Sequence, residues 1–359
     1  MVSKSKKMGL VVGGLAVLAV VGGIVVSNGS KGADKGYRVA MITDTAQTVQ
    51  DHSFNQVTWE GLQSWGKSHN YKEGQNYNYF LSKSPSDFNT NFQLAQKQGY
   101  DLQAGVGFGL HNAVLKNAKQ YPKTKYALVD DEITGQKNVV NLMFRSEESS
   151  YLAGVAAATK AKESGSDTVG FIGGIHGSVI DRFEQGFDQG VASVDKNIKV
   201  SSVYVNSYTD APKGQQIAQT MIARGIKVIF AAAGSAGNGA FTATKNQNSL
   251  LTADSKDRIW MIGVDIDQHK DGIYKSKDGK EVSATLTTSL TQVGNGLKDV
   301  SNLAMKGKFP GGKTVWYGLK EKGVGITKGN LDKDELKAVN TAENSIIKGD
   351  TKVTVNIAK

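Results

Sequence analysis

From Tyr37 onward the chain alternates short apolar runs with longer segments whose apolar residues recur at helical spacing. The runs Arg38–Thr43, Leu102–Gly107, Tyr126–Asp130, Val139–Phe144, Thr168–Ile172, Val200–Val205, Val228–Ala233, Ile259–Val264 and Ala284–Thr288 have the length and composition of strands. Between most of them, Phe54–Ser68, Asp87–Gln98, Asn112–Gln120, Glu148–Lys162, Ile180–Val194, Ala211–Ala223 and Asn238–Asn246 predict helices. Alternation of this kind predicts an α/β fold with parallel sheets covered on both faces. Such sheets bind ligands beyond the carboxyl ends of their strands.

The loops at those ends share a character. Arg38–Thr43 runs into Asp44 and a polar stretch ending Asp51-His52-Ser53-Phe54-Asn55, and Tyr126–Val129 ends in Asp130-Asp131. Val228–Ala233 ends in Gly234-Ser235-Ala236-Gly237-Asn238-Gly239, and Trp260–Val264 in Asp265-Ile266-Asp267-Gln268. Carboxylates, amides and glycines thus gather where a ligand is expected.

The N-terminus changes the picture. Lys4, Lys6 and Lys7 precede an uncharged run from Met8 to Val26, about the length that spans a bilayer. A positive flank stays on the cytoplasmic side and directs the downstream chain across the membrane. Only Ser27-Asn28-Gly29 offers a cleavage site, a loose match, so the run reads as an uncleaved anchor in preference to a removed signal peptide. Ser27–Gly36 reads as a flexible tether.

Composition mostly excludes. At 359 residues, 39% hydrophobic and 21% charged, the chain is too long for one comfortable core. With no cysteine it has no disulfide, thiolate metal site, cysteine nucleophile or acylated-cysteine anchor. The net charge of +10 comes from lysines interleaved with acids, as in Asp332-Lys333-Asp334-Glu335-Leu336-Lys337, a solvated surface rather than a nucleic-acid patch. His52, His69, His111, His176 and His269 lack the close spacing of a metal site. Gly307-Lys308-Phe309-Pro310-Gly311-Gly312-Lys313-Thr314 fits the phosphate-loop pattern, but a helical pattern precedes it and the strand-like Val315–Leu319 comes after, so it reads as a turn. Ser235 lacks the glycine two positions earlier that a nucleophile elbow needs.

Several strings, in order, resemble the basic membrane protein family: Asp51-His52-Ser53-Phe54-Asn55-Gln56, Phe144-Arg145-Ser146-Glu147-Glu148-Ser149-Ser150-Tyr151-Leu152-Ala153-Gly154, and Gly170-Phe171-Ile172-Gly173-Gly174. Arg182-Phe183-Glu184-Gln185-Gly186-Phe187, Gly263-Val264-Asp265-Ile266-Asp267-Gln268 and Gly323-Val324-Gly325-Ile326 extend the match to the C-terminal region. The family comprises substrate-binding proteins of ABC transporters that take up purine nucleosides. The resemblance implies the type I periplasmic-binding-protein arrangement: two Rossmann-like lobes on a hinge, joined by three crossovers, after the membrane span. It also implies lobes of 37–143 with 265–309 and of 144–264 with 310–359, preceded by a 1–36 anchor and tether.

The same resemblance implies the site. Phe54, between Ser53 and Asn55, and Tyr208 would hold the two faces of the base from opposite lobes, by stacking and burial together. Asp130 would accept from ring N–H groups and Asp265 from the ribose hydroxyls, with Asp44 and Asn55 finishing the polar shell. Gly234 would let backbone approach the sugar. Thr291 stands where the family commonly has a ribose-contacting lysine, which leaves Asp265 less compensated. On the residues alone Phe54 can equally anchor its helix, Asp130 can be a cap or loop acid, and Asp265 can cap a turn. Glu147 and Glu148 read as helix-start acids, with Arg145 and Arg182 as structural ion-pair partners.

The expectation is an exported, membrane-tethered, monomeric protein on the extracytoplasmic face. It binds a purine nucleoside, delivers it to an ABC permease, and has no cofactor, metal, nucleic-acid partner or catalytic residue. A nucleoside-sensing surface receptor without a transport role and a nucleoside-processing enzyme are the alternatives.

Overall fold

A computed structural model of the protein describes residues 36–356. The apolar run Met8–Val26 and most of the tether lie outside the described residues. Among those described, no helix is long and apolar enough to cross a membrane.

The elements alternate as the periodicity predicts. First come β1 (Val39–Thr45), α1 (Phe54–Ser68), β2 (Tyr77–Ser82), α2 (Asp87–Lys97), β3 (Leu102–Val106), α3 (His111–Gln120), β4 (Lys125–Val129) and β5 (Val139–Phe144). Next are α4 (Ser146–Glu163), β6 (Thr168–Gly173), α5 (Ser178–Val194), β7 (Lys199–Tyr204), α6 (Ala211–Ala223), β8 (Val228–Ala232), α7 (Gly237–Asn248) and β9 (Trp260–Asp265). A hairpin of β10 (Ile273–Lys275) and β11 (Glu281–Ser283) leads into β12 (Thr285–Thr291). The order ends with α8 (Val293–Met305), β13 (Thr314–Tyr317), β14 (Val324–Ile326) and α9 (Lys333–Lys348).

The strands form two six-stranded sheets, ordered β13-β5-β4-β3-β1-β2 and β14-β12-β9-β8-β6-β7. The two orders correspond position by position, so β4 in one lobe is the counterpart of β9 in the other. Every neighbour pairs parallel except β14, which runs antiparallel to β12. The central strands β3 and β8 are buried along their whole length, which is why β8 reads as a continuous apolar run and β3 as one broken only by the buried Gln103.

Sheet membership corrects the expected lobe boundaries. β12 pairs with β9 from Thr285 opposite Met261 to Leu290 opposite Asp265, so 265–291 stays with the second lobe. The chain returns to the first lobe at α8, which packs on α1, and at β13, which pairs with β5. It then crosses back to add β14 and α9 to the second. The lobes are therefore 37–144 with 293–317, and 146–291 with 324–356. The threonine-rich run of β12 suits either sheet; partners remote in sequence decide where it docks. The phosphate-loop look-alike joins α8 to β13, a helix before and a strand after. That order is the reverse of the one that aims a helix N-terminus at phosphate.

Candidate functional site

A cavity of about 490 Å³ opens at the carboxyl ends of the strands of both sheets. Asp44, Phe54, Asn55, Asp130, Tyr208, Gly234, Asp265 and Thr291, all candidates from the sequence, line it together. Ser53 is buried just behind the wall, where its Oγ donates to Asp265 Oδ2 at 2.6 Å.

Asp130 comes directly after β4 and Asp265 ends β9, so the two acids hold equivalent places in their lobes. Each sits in the left-handed backbone region at φ +66°, which few non-glycine residues adopt. Strain of this kind persists only where the surrounding structure over-determines it. Both carboxyl groups are held well above the ordinary range. Burial and the neighbouring Asp265 push Asp130 up to about 7, with the Arg182 guanidinium pulling the other way. Burial raises Asp265 to about 6, against the hydroxyls of Ser53 and Thr291, with Asp51 adding to the rise. None of the residues described as lining the cavity is a lysine or arginine. The nearby cation is Arg182, which pairs with Glu147 at 3.2 Å and lies over the Trp316 ring. Arg145 lies 5.1 Å from the same ring.

Asp44 is partly committed to the scaffold. Its Oδ2 accepts from Gly109 N at 2.9 Å and its Oδ1 from Thr45 N at 2.6 Å, bracing the loop after β3. A Cβ at Gly109 would fall 2.4 Å from that Oδ2, so only glycine fits there. Asn55 donates through Nδ2 to Asp51 at 2.8 Å, while its buried Oδ1 has no partner. The half-buried Tyr208 ring rests on Gly174, where a Cβ would meet it at 2.4 Å, so the glycine just after β6 makes room for it. Burial and the nearby Asp130 raise the Tyr208 hydroxyl pKa.

Four contacts cross the cleft to one short segment of the first lobe. Asn238 Nδ2 donates to Asp51 O at 3.2 Å, Gln268 Nε2 to His52 O at 2.8 Å, and Ser53 to Asp265. His52 Nδ1 lies 2.9 Å from Asp271. The segment is rigid because the Asp51 carboxylate accepts from the N–H groups of Ser53, Asn55 and Gln56, capping α1. The lobes are thus latched shut beside the cavity.

Sequence reasoning missed Phe108, Asp51 and the apolar wall of Val179, Ile180 and Phe183 on α5. Phe108 is 39% exposed and meets Tyr208 edge-on at 6.3 Å between ring centroids. Its signal was available, because it comes straight after Gly107 at a strand end. The α5 wall carried none, since its apolar residues are indistinguishable from core.

Among the described residues, two groups have metal-ligand composition. His176, Asp181 and Glu184 lie together, but His176 stacks on Tyr204, whose hydroxyl donates to Glu184. In the group of Glu163, Asp332 and Glu335 the cation is Lys160, whose Nζ is 2.7 Å, 3.7 Å and 3.0 Å from the three acids.

Two α/β lobes that meet at one cavity beyond their strand ends form an arrangement suited to holding a solute between them. The backbone resembles that of an ABC transporter solute-binding protein from Aeropyrum pernix, with TM-score 0.75 at 22% identity over 89% of this chain and 94% of that one. The chain belongs to the Bmp family of ABC transporter substrate-binding proteins, PnrA-like, which it matches over residues 37–356. It is 45% identical to the ABC transporter nucleoside-binding protein BmpA of Lactococcus lactis, over 89% of this chain and 88% of that protein. It is 42% identical to the CD4+ T-cell-stimulating antigen of Listeria monocytogenes, over 89% of each.

Proposed function

We propose that the protein captures a purine nucleoside between its lobes on the extracytoplasmic face and presents it to an ABC permease. Phe54 from the first lobe and Tyr208 from the second take the faces of the base, and Asp130 takes its hydrogen-bonding edge. Asp265 takes the ribose hydroxyls, with Thr291 in place of a cation beside it. The observation that carries this reading is the convergence of aromatic rings from both lobes, Phe54 and Tyr208 among them, with one buried acid from each lobe on one cavity. The name of the Lactococcus relative supports a nucleoside. The N-terminal run would tether the protein to the membrane, and nothing in the reading requires a cofactor or a second subunit.

Calorimetric titration of residues 37–359 with guanosine, inosine, adenosine, cytidine and ribose tests it. Purine nucleosides should bind and ribose alone should not; binding of ribose with no purine preference defeats the base-stacking site. Incubation with inosine or guanosine, with and without phosphate, should leave the nucleoside intact. Release of free base would establish an enzyme instead.

A further inference from the structure

The four acids that line the cavity are not equally satisfied: the Asp51 carboxylate accepts from the N–H groups of Ser53, Asn55 and Gln56. Asp44 accepts from two backbone N–H groups and Asp265 from Ser53. The Asp130 carboxylate, only 8% exposed and lining the cavity, accepts no hydrogen bond from any described residue. Its backbone is fixed, with its N–H donating to Leu142 O at 3.0 Å. A buried carboxylate with both oxygens open is costly unless something else supplies its partners. Its surroundings leave the proton finely balanced. Asp265 from β9 and Asp131 beside it favour the protonated form, Arg182 from α5 favours the ionised form, and the Tyr208 hydroxyl from the second lobe feels its charge. Asp131 is itself held by His111 at 2.7 Å.

Resting on the nucleoside reading above, we propose that Asp130 selects the base by its own protonation. As a carboxylate it takes the guanine edge, and as a neutral acid it takes the adenine edge. The guanine edge offers two adjacent donors, N1–H and the exocyclic N–H, which match the two oxygens of a carboxylate. The adenine edge offers one donor, the exocyclic N–H, and one acceptor, N1. A carboxylic acid answers both, with its O–H donating to N1 and its carbonyl accepting. Each wrong pairing sets two acceptors, or two donors, face to face in a buried site, where an unmade hydrogen bond is expensive. The balance point of about 7 places the changeover within the physiological range.

Guanosine and adenosine carry the same ribose, so Asp265 and every sugar contact cancel in the ratio of their affinities. Neither base changes its protonation between about pH 6 and about pH 8, and the ratio then tracks Asp130, by up to about tenfold per pH unit. Calorimetric titration of both nucleosides should show the guanosine preference rising at least about tenfold across that interval. In Asp130→Asn the ratio should be independent of pH. A flat ratio in the unmodified protein overturns the selection while leaving nucleoside capture standing. A ratio that rises equally in Asp130→Asn overturns the assignment to this residue. Binding of neither nucleoside at either pH removes the nucleoside reading and this inference with it. If the variant fails to fold, the titration of the unmodified protein decides alone.

Discussion

Replacing Asp130 by asparagine should make the ligand-free protein more stable at alkaline pH. The side chain keeps its shape and loses its charge. In the folded protein this carboxyl titrates at about 7 against an ordinary 3.8. The folded state therefore holds the proton more tightly than the unfolded chain, so stability falls as the pH rises from about 4 to about 7 and levels off above that. At about 1.4 kcal/mol per pH unit, the penalty approaches about 4 kcal/mol near pH 8. It shrinks to about 1.7 kcal/mol near pH 5 and nearly vanishes near pH 3, where both states are largely protonated. Urea unfolding of the unmodified protein and of Asp130→Asn, both without nucleoside, reads the difference directly. The gain should be large at pH 8 and less than half as large at pH 5. No gain, or an equal gain at both pH values, would refute the claim that Asp130 is a destabilising buried charge kept for binding.

Phe54→Ala and Tyr208→Ala should each weaken purine nucleoside binding by about 1–3 kcal/mol through lost stacking and burial, measured by calorimetry. Unchanged affinity for both puts the base elsewhere. Asn238→Ala removes a cross-cleft donor without touching the cavity. It should raise the nucleoside dissociation rate several-fold in stopped-flow, with little change in association. Gly61 and Gly294 let α1 and α8 touch, and a Cβ on Gly61 would fall 2.2 Å from Gly294 Cα. Gly61→Val should therefore cost at least about 2 kcal/mol of stability in thermal melts.

The parallel core was legible because strands such as Val228–Ala232 are covered on both faces and are apolar throughout. The edge strand β2 was not. Tyr77-Asn78-Tyr79-Phe80 mixes aromatics with a polar residue, as a strand at the edge of its sheet can. The acids at the strand ends are visible from position alone, whereas their equivalence under the two matching strand orders emerges only with the sheets. Ser53 is visible through its motif; that it serves Asp265 rather than the cavity wall depends on a contact spanning 212 residues. Arg182 reads from sequence as an ion-pair partner, which it is, yet its charge also reaches Asp130.

The outermost strands β13 and β14 come from the last part of the chain and close sheets begun long before. During synthesis, β5 and β12 each wait with a bare rim of peptide groups until nearly every residue has been made. Neither half can be cloned as a continuous fragment with its sheet complete. A ribosome-bound nascent chain stays unfinished on both sides at once, open to any partner that offers a strand before its own arrives.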